Sequence, residues 1–353
     1  MVIAKVLNRQ SSSSEKISTP SLAQAFLNRV ELNVTVAICT YNGESRLPKV
    51  LDCLRWQLNT RKVNWEVLVI DNNSTDNTAK VVQSYQAIWS ENVPLRYQFE
   101  VQQGAAFARQ RAVKAARSPL VAFLDDDNLP GMTWIAAVYK FGQAHPEAGV
   151  YGSRIRGDFE SNPPQNFKRI ASLFALTERG SLAQRYEPHK KVLPPGAGMV
   201  VKRRAWLENV PPSPVLGGRT KDSMLTGEDL EAILHIQQAG WEVWYNPHMR
   251  LSHCISGNRL QRDYLIKFTR GIGLSRYRTR MLSLSVWQRP LMLPAYMLND
   301  VRKIILHLMK YKVTVGSDVI AACEMELYVY SFISPFYMLH RTLKQRWQRK
   351  WIA

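Results

Sequence analysis

Three short apolar runs rich in β-branched residues, Val34–Cys39, Val67–Ile70 and Leu120–Leu124, constrain this chain more than any other feature. Each has strand length, and the segments between them carry helical spacing or turn chemistry. Leu47–Trp56 reads as a helix. A Ser/Thr/Asn-rich turn at Asn72–Thr78 opens another through Tyr85, Leu95–Val101 reads as a strand, and Ala105–Ala116 as a third helix. Alternating strands and helices predict a doubly wound, mostly parallel sheet whose ligand crevice lies beyond the carboxyl ends of its strands. Two of those ends carry acids: Asp71 after the second run, and Asp125, Asp126 and Asp127 after Leu124.

Beyond Asp127 the alternation loosens into Pro- and Gly-containing loops, followed by a strand at Gly198–Val201 and a helix at Glu228–Ala239 closed by Gly240. From about Ile255 the chain turns Arg-rich, with apolar stretches at Leu291–Leu298, Ile304–Met309 and Val319–Leu339. The expected division is an arm over 1–32, a nucleotide-binding half over 33–127, an acceptor-binding half over 128–254, and a basic, mainly helical region over 255–353.

Charge narrows the choice of partners. The chain holds 47 Lys and Arg against 28 Asp and Glu, a net +19, which favours anionic ligands. Residues 255–353 alone hold 17 basic and 5 acidic side chains, a net +12. Asn299, Asp300, Arg302 and Lys303 break the first pair of apolar stretches, and Glu324 and Glu326 interrupt the last, so none is expected to span a bilayer. Two readings of this region stay open: an amphipathic surface resting on an anionic leaflet, or an ordinary helical subdomain with a solvated basic face. Cys39, Cys53, Cys254 and Cys323 form no CxxC pair and no metal-ligand spacing, which fits a reducing compartment. Residues 1–33 have no long apolar core of a secretory signal, so the catalytic part is expected on the cytosolic side.

Three successive carboxylates at a strand end repel one another, and alternate ones such as Asp125 and Asp127 can converge on a hard cation. Such an ion would bridge the phosphates of a nucleotide diphosphate. An acidic triplet alone is more often a turn or a helix cap. Its place after a buried strand, in register with Asp71, favours the metal reading.

The runs Val36–Asn42, Val69–Asp76 and Phe123–Asp127, with Gly227-Glu228-Asp229-Leu230 before a helix and Gly240–Pro247 after it, resemble the ordered signatures of family 2 glycosyltransferases of the GT-A fold. Two further runs, Gln103–Arg111 and Leu193–Gly198, resemble members of that family that build polysaccharides. The resemblance covers roughly residues 34–254. It implies an α/β GT-A domain with a C-terminal helical extension, which inverts a sugar as it moves it from a nucleotide diphosphate donor, a UDP-sugar, to a saccharide or lipid-linked acceptor. It places Thr40, Tyr41, Glu44 and Asp71 around the nucleoside and Arg109 beside the ribose and pyrophosphate. Asp125, Asp126 and Asp127 become the DxD motif holding Mn²⁺ or Mg²⁺, its register ambiguous by one residue. Asn72 and Asn73 stand where many relatives carry Asp and Gly, so a second base-contacting acid is missing.

The same resemblance makes Asp229 the general base, beside Glu228. An acceptor hydroxyl must lose its proton as it attacks, and a carboxylate can take it. Thr226-x-x-Asp229 also fits a capping box. Gly196, Ala197 and Gly198 would allow close approach to donor or acceptor, or form a plain turn. His253 falls where some relatives place a metal- or phosphate-contacting histidine, and a buried structural histidine is the other reading. A nucleotidyltransferase should carry a Gly- and Arg-rich loop directly after the first strand, where Thr40–Arg46 has one glycine. A basic module that binds nucleic acid or lipid would leave the clustered acids without a purpose, and no nucleic-acid partner is expected.

Overall fold

The computed structural model describes residues 31–190, 192–220 and 224–352. The proposed arm therefore lies almost wholly outside the described residues. The first strands are β1 (Val34–Thr40), β2 (Trp65–Asp71), β3 (Leu95–Phe99) and β4 (Leu120–Asp125), paired in parallel in the order β3-β2-β1-β4. Helices α1 (Leu47–Arg55), α2 (Thr78–Ile88) and α3 (Ala105–Ala115) connect them. Both faces of these strands are covered, which is why the runs are continuously apolar rather than alternating. Val36, Val67, Val69, Ala122 and Leu124 pack into one core, while Ala37, Leu68, Ile70, Val121 and Phe123 point to the other.

After β4 come β5 (Asn128–Pro130), α4 (Trp134–Ala144), β6 (Ala148–Phe159), β7 (Gln184–Arg185), β8 (Val200–Lys202), α5 (Arg203–Asn209), α6 (Glu228–Gln238) and β9 (Glu242–Ile255). β8 inserts antiparallel between β4 and β6, β6 runs parallel to β9, and β5 and β7 pair antiparallel with β9. The nine-stranded sheet is thus mixed. Its second half is less legible because β5, β7 and β8 have only two or three residues each.

Three helices follow: α7 (Arg262–Leu282), α8 (Arg289–Tyr311) and α9 (Val319–Ile352). A third core of Phe167, Ile170, Phe174, Ile255, Leu265, Phe268, Ile320 and Cys323 joins α7 and α9 to the segment before β7. The boundary expected at 254/255 falls inside one unit, Leu32–Ala353. Val319–Lys344 within α9 has the length and composition of a membrane-crossing helix, with 39% of its most apolar window buried inside the protein. Its two acids do not break that run as free charges, since Glu324 pairs with Arg169 and Glu326 with Arg270.

Candidate active site

Register places the first acids. Thr40 of β1 is level with Asp71 of β2, and Cys39 is level with Asp125 of β4, so three adjacent strands end at one edge of the sheet. Asp71 is buried there. One of its oxygens accepts the Ser74 amide at 2.9 Å, and the other accepts the Tyr97 hydroxyl at 2.8 Å. The Asn72 side chain turns away, donating to the Gln102 carbonyl at 2.7 Å and accepting the Gly104 amide at 2.7 Å, which fixes the loop that enters α3. The Tyr41 hydroxyl is buried without a hydrogen-bond partner among the described residues. Glu44 is exposed and accepts the Asn77 amide at 3.1 Å, joining the loop after β1 to the start of α2.

The three aspartates do not converge. Each meets a different arginine: Asp125 contacts Arg109 at 3.4 Å, Asp126 takes a two-pronged contact from Arg46 at 2.9 Å, and Asp127 accepts Arg259 at 2.8 Å. Asp126 is further held by the Thr40 hydroxyl at 2.6 Å, which makes Thr40 a support for the triplet. Burial raises the Asp126 carboxyl against the pull of Arg46. Burial also acts upward on Asp127, but contact with His253 and the charges of Arg259 and Arg219 outweigh it and hold this carboxyl at about 2.

Asp127 meets His253 because β5 pairs with β9 in the register Asn128↔His253. The His253 Nε2 lies 3.3 Å from the Asp127 carboxylate and 3.2 Å from Arg259 Nη1. Its Nδ1 sits 2.9 Å from the Phe174 carbonyl, which can only accept, so Nδ1 carries hydrogen and Nε2 faces the acid. That arrangement suits a metal-ligating imidazole fixed by a carbonyl on its far side.

Asp127 and His253 are of the types that ligate a divalent ion, and in this structure Arg259 Nη1 bridges the two, 2.8 Å from the carboxylate and 3.2 Å from Nε2. The chelate expected from Asp125 and Asp127 is not formed. Asp125 is drawn to Arg109, and among the described residues no three His, Cys, Asp or Glu side chains gather around one cation position.

Arg109 connects this edge to the start of α6. Its side chain is 5 % exposed and reaches Asp125 at 3.4 Å and Glu228 at 2.9 Å, while its Nε has no partner among the described residues. Burial opposes the charge on Arg109, but Asp125, Glu228 and Asp229 overcome it and raise its proton affinity. Glu228 is pushed up by burial and by Asp229, against the pull of Arg109.

Asp229 stands in the first turn of α6. One oxygen accepts the Gly196 amide at 2.6 Å, and the other accepts the Leu230 amide at 2.8 Å. The alternative reading of a capping box is not met: the cap is Gly227, at φ 97°, and the Thr226 amide bonds to Ser275 at 3.3 Å. Gly227 adopts the left-handed backbone that a threonine cap would resist. Gly196 has its own constraint, because a Cβ there would lie 2.8 Å from Arg109 Nη2 and 2.9 Å from Asp229 Oδ2. Ala197 is buried, and the Gly198 carbonyl accepts the Ser153 hydroxyl at 2.6 Å.

Sequence reasoning passes over Arg46, Tyr97 and Arg259. Arg46 lies in a stretch read only as a loop, and Arg259 in the region read as a basic extension. Burial of an acid does not by itself mark this site. Glu231, 1 % exposed, accepts the Val215 and Leu216 amides and Arg278, and Glu66 is bound by Thr35 and Arg96.

Residues 35–208 match the model of the family described as Glycosyl transferase family 2. Validoxylamine A glucosyltransferase of Streptomyces hygroscopicus subsp. limoneus is 36% identical over 107 residues, 30% of this chain and 22% of that protein. The glucosyl-dolichyl phosphate glucuronosyltransferase of Haloferax volcanii is 23% identical over 237 residues, 67% of this chain and 73% of its own. The alignments span only 22% and 24% of the first two curated relatives. Among solved structures, S. aureus TarS 1-349 in complex with UDP-GlcNAc superposes with a TM-score of 0.50 at 15% identity, covering 84% of this chain and 90% of that one. This protein accordingly has the GT-A architecture, and residues 35–208, just under half of the chain, are similar to family 2 glycosyltransferases.

Proposed function

We propose that this chain is an inverting glycosyltransferase that moves a sugar from a UDP-sugar to a saccharide or lipid-linked acceptor in extracellular polysaccharide synthesis, working on the cytosolic side of the membrane. The observation that carries this reading is Asp229, held by two amide hydrogens beside the Arg109 that also touches the strand-end Asp125. The two amides fix both carboxylate oxygens, and each oxygen keeps a lone pair for an incoming hydroxyl. The acceptor proton passes to Asp229 as its oxygen bonds to the anomeric carbon. The bond from that carbon to the diphosphate then breaks on the opposite face, and the centre inverts.

Arg109 lies where charge accumulates on the departing diphosphate, and its unpartnered Nε is available to it. Asp127 and His253 would hold Mn²⁺ or Mg²⁺, which neutralises the diphosphate when bound. Asp71 supports uracil over guanine. With Ser74 and Tyr97 already on its oxygens, it suits the single imide N–H of uracil better than the paired N–H groups of guanine, and Asn72 is engaged elsewhere. The polysaccharide role rests on the likeness of Gln103–Arg111 and Leu193–Gly198 to the cyanobacterial hormogonium polysaccharide biosynthesis glycosyltransferase.

A thermal-shift screen of nucleotide sugars with Mn²⁺ present tests the donor, because a ligand bound only by the native state raises stability with its saturation. UDP-sugars should raise the melting temperature and release UDP slowly on incubation. A response to GDP-sugars alone would reassign the base. A protein that neither binds nor hydrolyses any nucleotide sugar would overturn the reading.

A further inference from the structure

Thirteen of the twenty-three exposed large apolar side chains among the described residues fall between Val286 and Trp347. On α8, Leu291, Leu298 and Ile305 recur every seven residues and are 72%, 70% and 51% exposed. That spacing puts them on one face of the helix. On α9, Phe336, Leu339 and Leu343 form a second ridge, 57%, 60% and 55% exposed. An apolar surface of this extent marks an interaction site.

Charge identifies the partner. Asp300 is buried against Arg280, Asp318 accepts the Ile320 and Ala321 amides, Glu324 pairs with Arg169, and Glu326 pairs with Arg270. Every acid between 286 and 347 is therefore occupied within the protein, while Arg302, Lys310 and Lys344 remain exposed. We infer that the exposed faces of α8 and α9 dock in the plane of an anionic lipid bilayer, with apolar ridges in the acyl boundary and cations at the headgroups. A second copy of the chain would set like charges against each other.

Spanning is disfavoured by two features. Glu324 ties the first half of α9 to Arg169 before β7 and Glu326 ties it to Arg270 of α7, and Ile320, Cys323 and Leu327 are buried there. The ridge from Phe336 to Leu343 covers only about 10 Å along the helix, against about 30 Å of bilayer hydrocarbon.

Co-sedimentation of the full chain with vesicles tests this without a sugar donor, so its outcome is separate from that of the transfer reaction. The protein should pellet with phosphatidylglycerol-containing vesicles, remain in solution with phosphatidylcholine alone, and be released by salt. Leu298→Glu with Ile305→Glu, or Phe336→Glu with Leu343→Glu, should each weaken binding at least about tenfold, as expected for lost apolar burial. Both variants should keep the wild-type melting temperature. Absence of binding to anionic vesicles sinks the inference. Binding that resists salt and yields only to detergent would replace it with a spanning helix, and a dimer abolished by the same substitutions would replace it with self-association.

Discussion

The strand-end edge of the sheet and the C-terminal helices break the ordinary distribution of side chains in opposite directions. At the edge, charge is buried: Asp126, Asp127, Arg109 and Glu228 sit in a crevice, each held by a partner of opposite sign. On α8 and α9, apolar side chains stand in solvent. Buried charge and exposed apolar surface are the two departures that carry information about function. Here they point to separate tasks, chemistry at one place and placement at the other. The ion pairs Arg169–Glu324 and Arg278–Glu231 join the C-terminal helices to the segment before β7 and to α6, so the separation is one of role and not of structure.

If that contrast is right, substitutions at the edge should cost turnover or folding, while substitutions on the ridges should cost neither. The largest effect is expected from Asp229→Asn, which can keep one bond to the Gly196 amide yet cannot take a proton. Turnover should fall roughly a hundred- to ten-thousand-fold in a UDP-release assay, with donor affinity by calorimetry unchanged. A parallel loss of folding would instead make Asp229 a structural anchor. Arg109→Met should lower the free energy of urea unfolding by about 3–5 kcal/mol, since it strands Glu228 without its buried partner. Asp127→Asn should weaken metal-dependent donor binding at least about tenfold and leave metal-free binding little changed.

A smaller effect, dependent on pH, belongs to Asp76. Partial burial pushes its carboxyl up, but bonds from Thr78 and from the Glu44 amide prevail and leave it below its ordinary 3.8. Its stabilisation is therefore complete above that value and is lost as pH falls through the depressed one. Asp76→Asn should cost about 1 kcal/mol at neutral pH, the scale of a lost side-chain bond at a helix start, and the difference from wild type should vanish in strong acid. Smallest of all, Leu298→Glu with Ile305→Glu should move stability by no more than about 0.5 kcal/mol, as measured by the same urea titration.

The parallel half of the sheet is legible in sequence because its information is local. Val34–Thr40, Trp65–Asp71 and Leu120–Asp125 declare themselves as strands, and the acids follow directly. What those acids touch is not local. Asp127 finds His253 only through the pairing of a three-residue strand with β9, and Arg46 is separated from Asp126 by 80 positions. Asp125 and Asp127 look like a chelating pair by alternation, but alternation holds only while the chain stays extended, and Asp127 lies in the turn between β4 and β5. Thr226 failed as a cap for a similar reason. The helix begins one residue later, at a glycine whose backbone sign no side-chain pattern announces. The two acids of α9 interrupt an apolar run in sequence, and the cation that pairs with each lies on another element.

Arg259 lies 132 positions after Asp127. On a ribosome adding about 5–20 residues per second, that interval lasts roughly 7–26 s. Throughout it Asp127 goes without the guanidinium that later meets it. The strand-end edge is therefore finished late in synthesis, long after the strands that carry it have emerged.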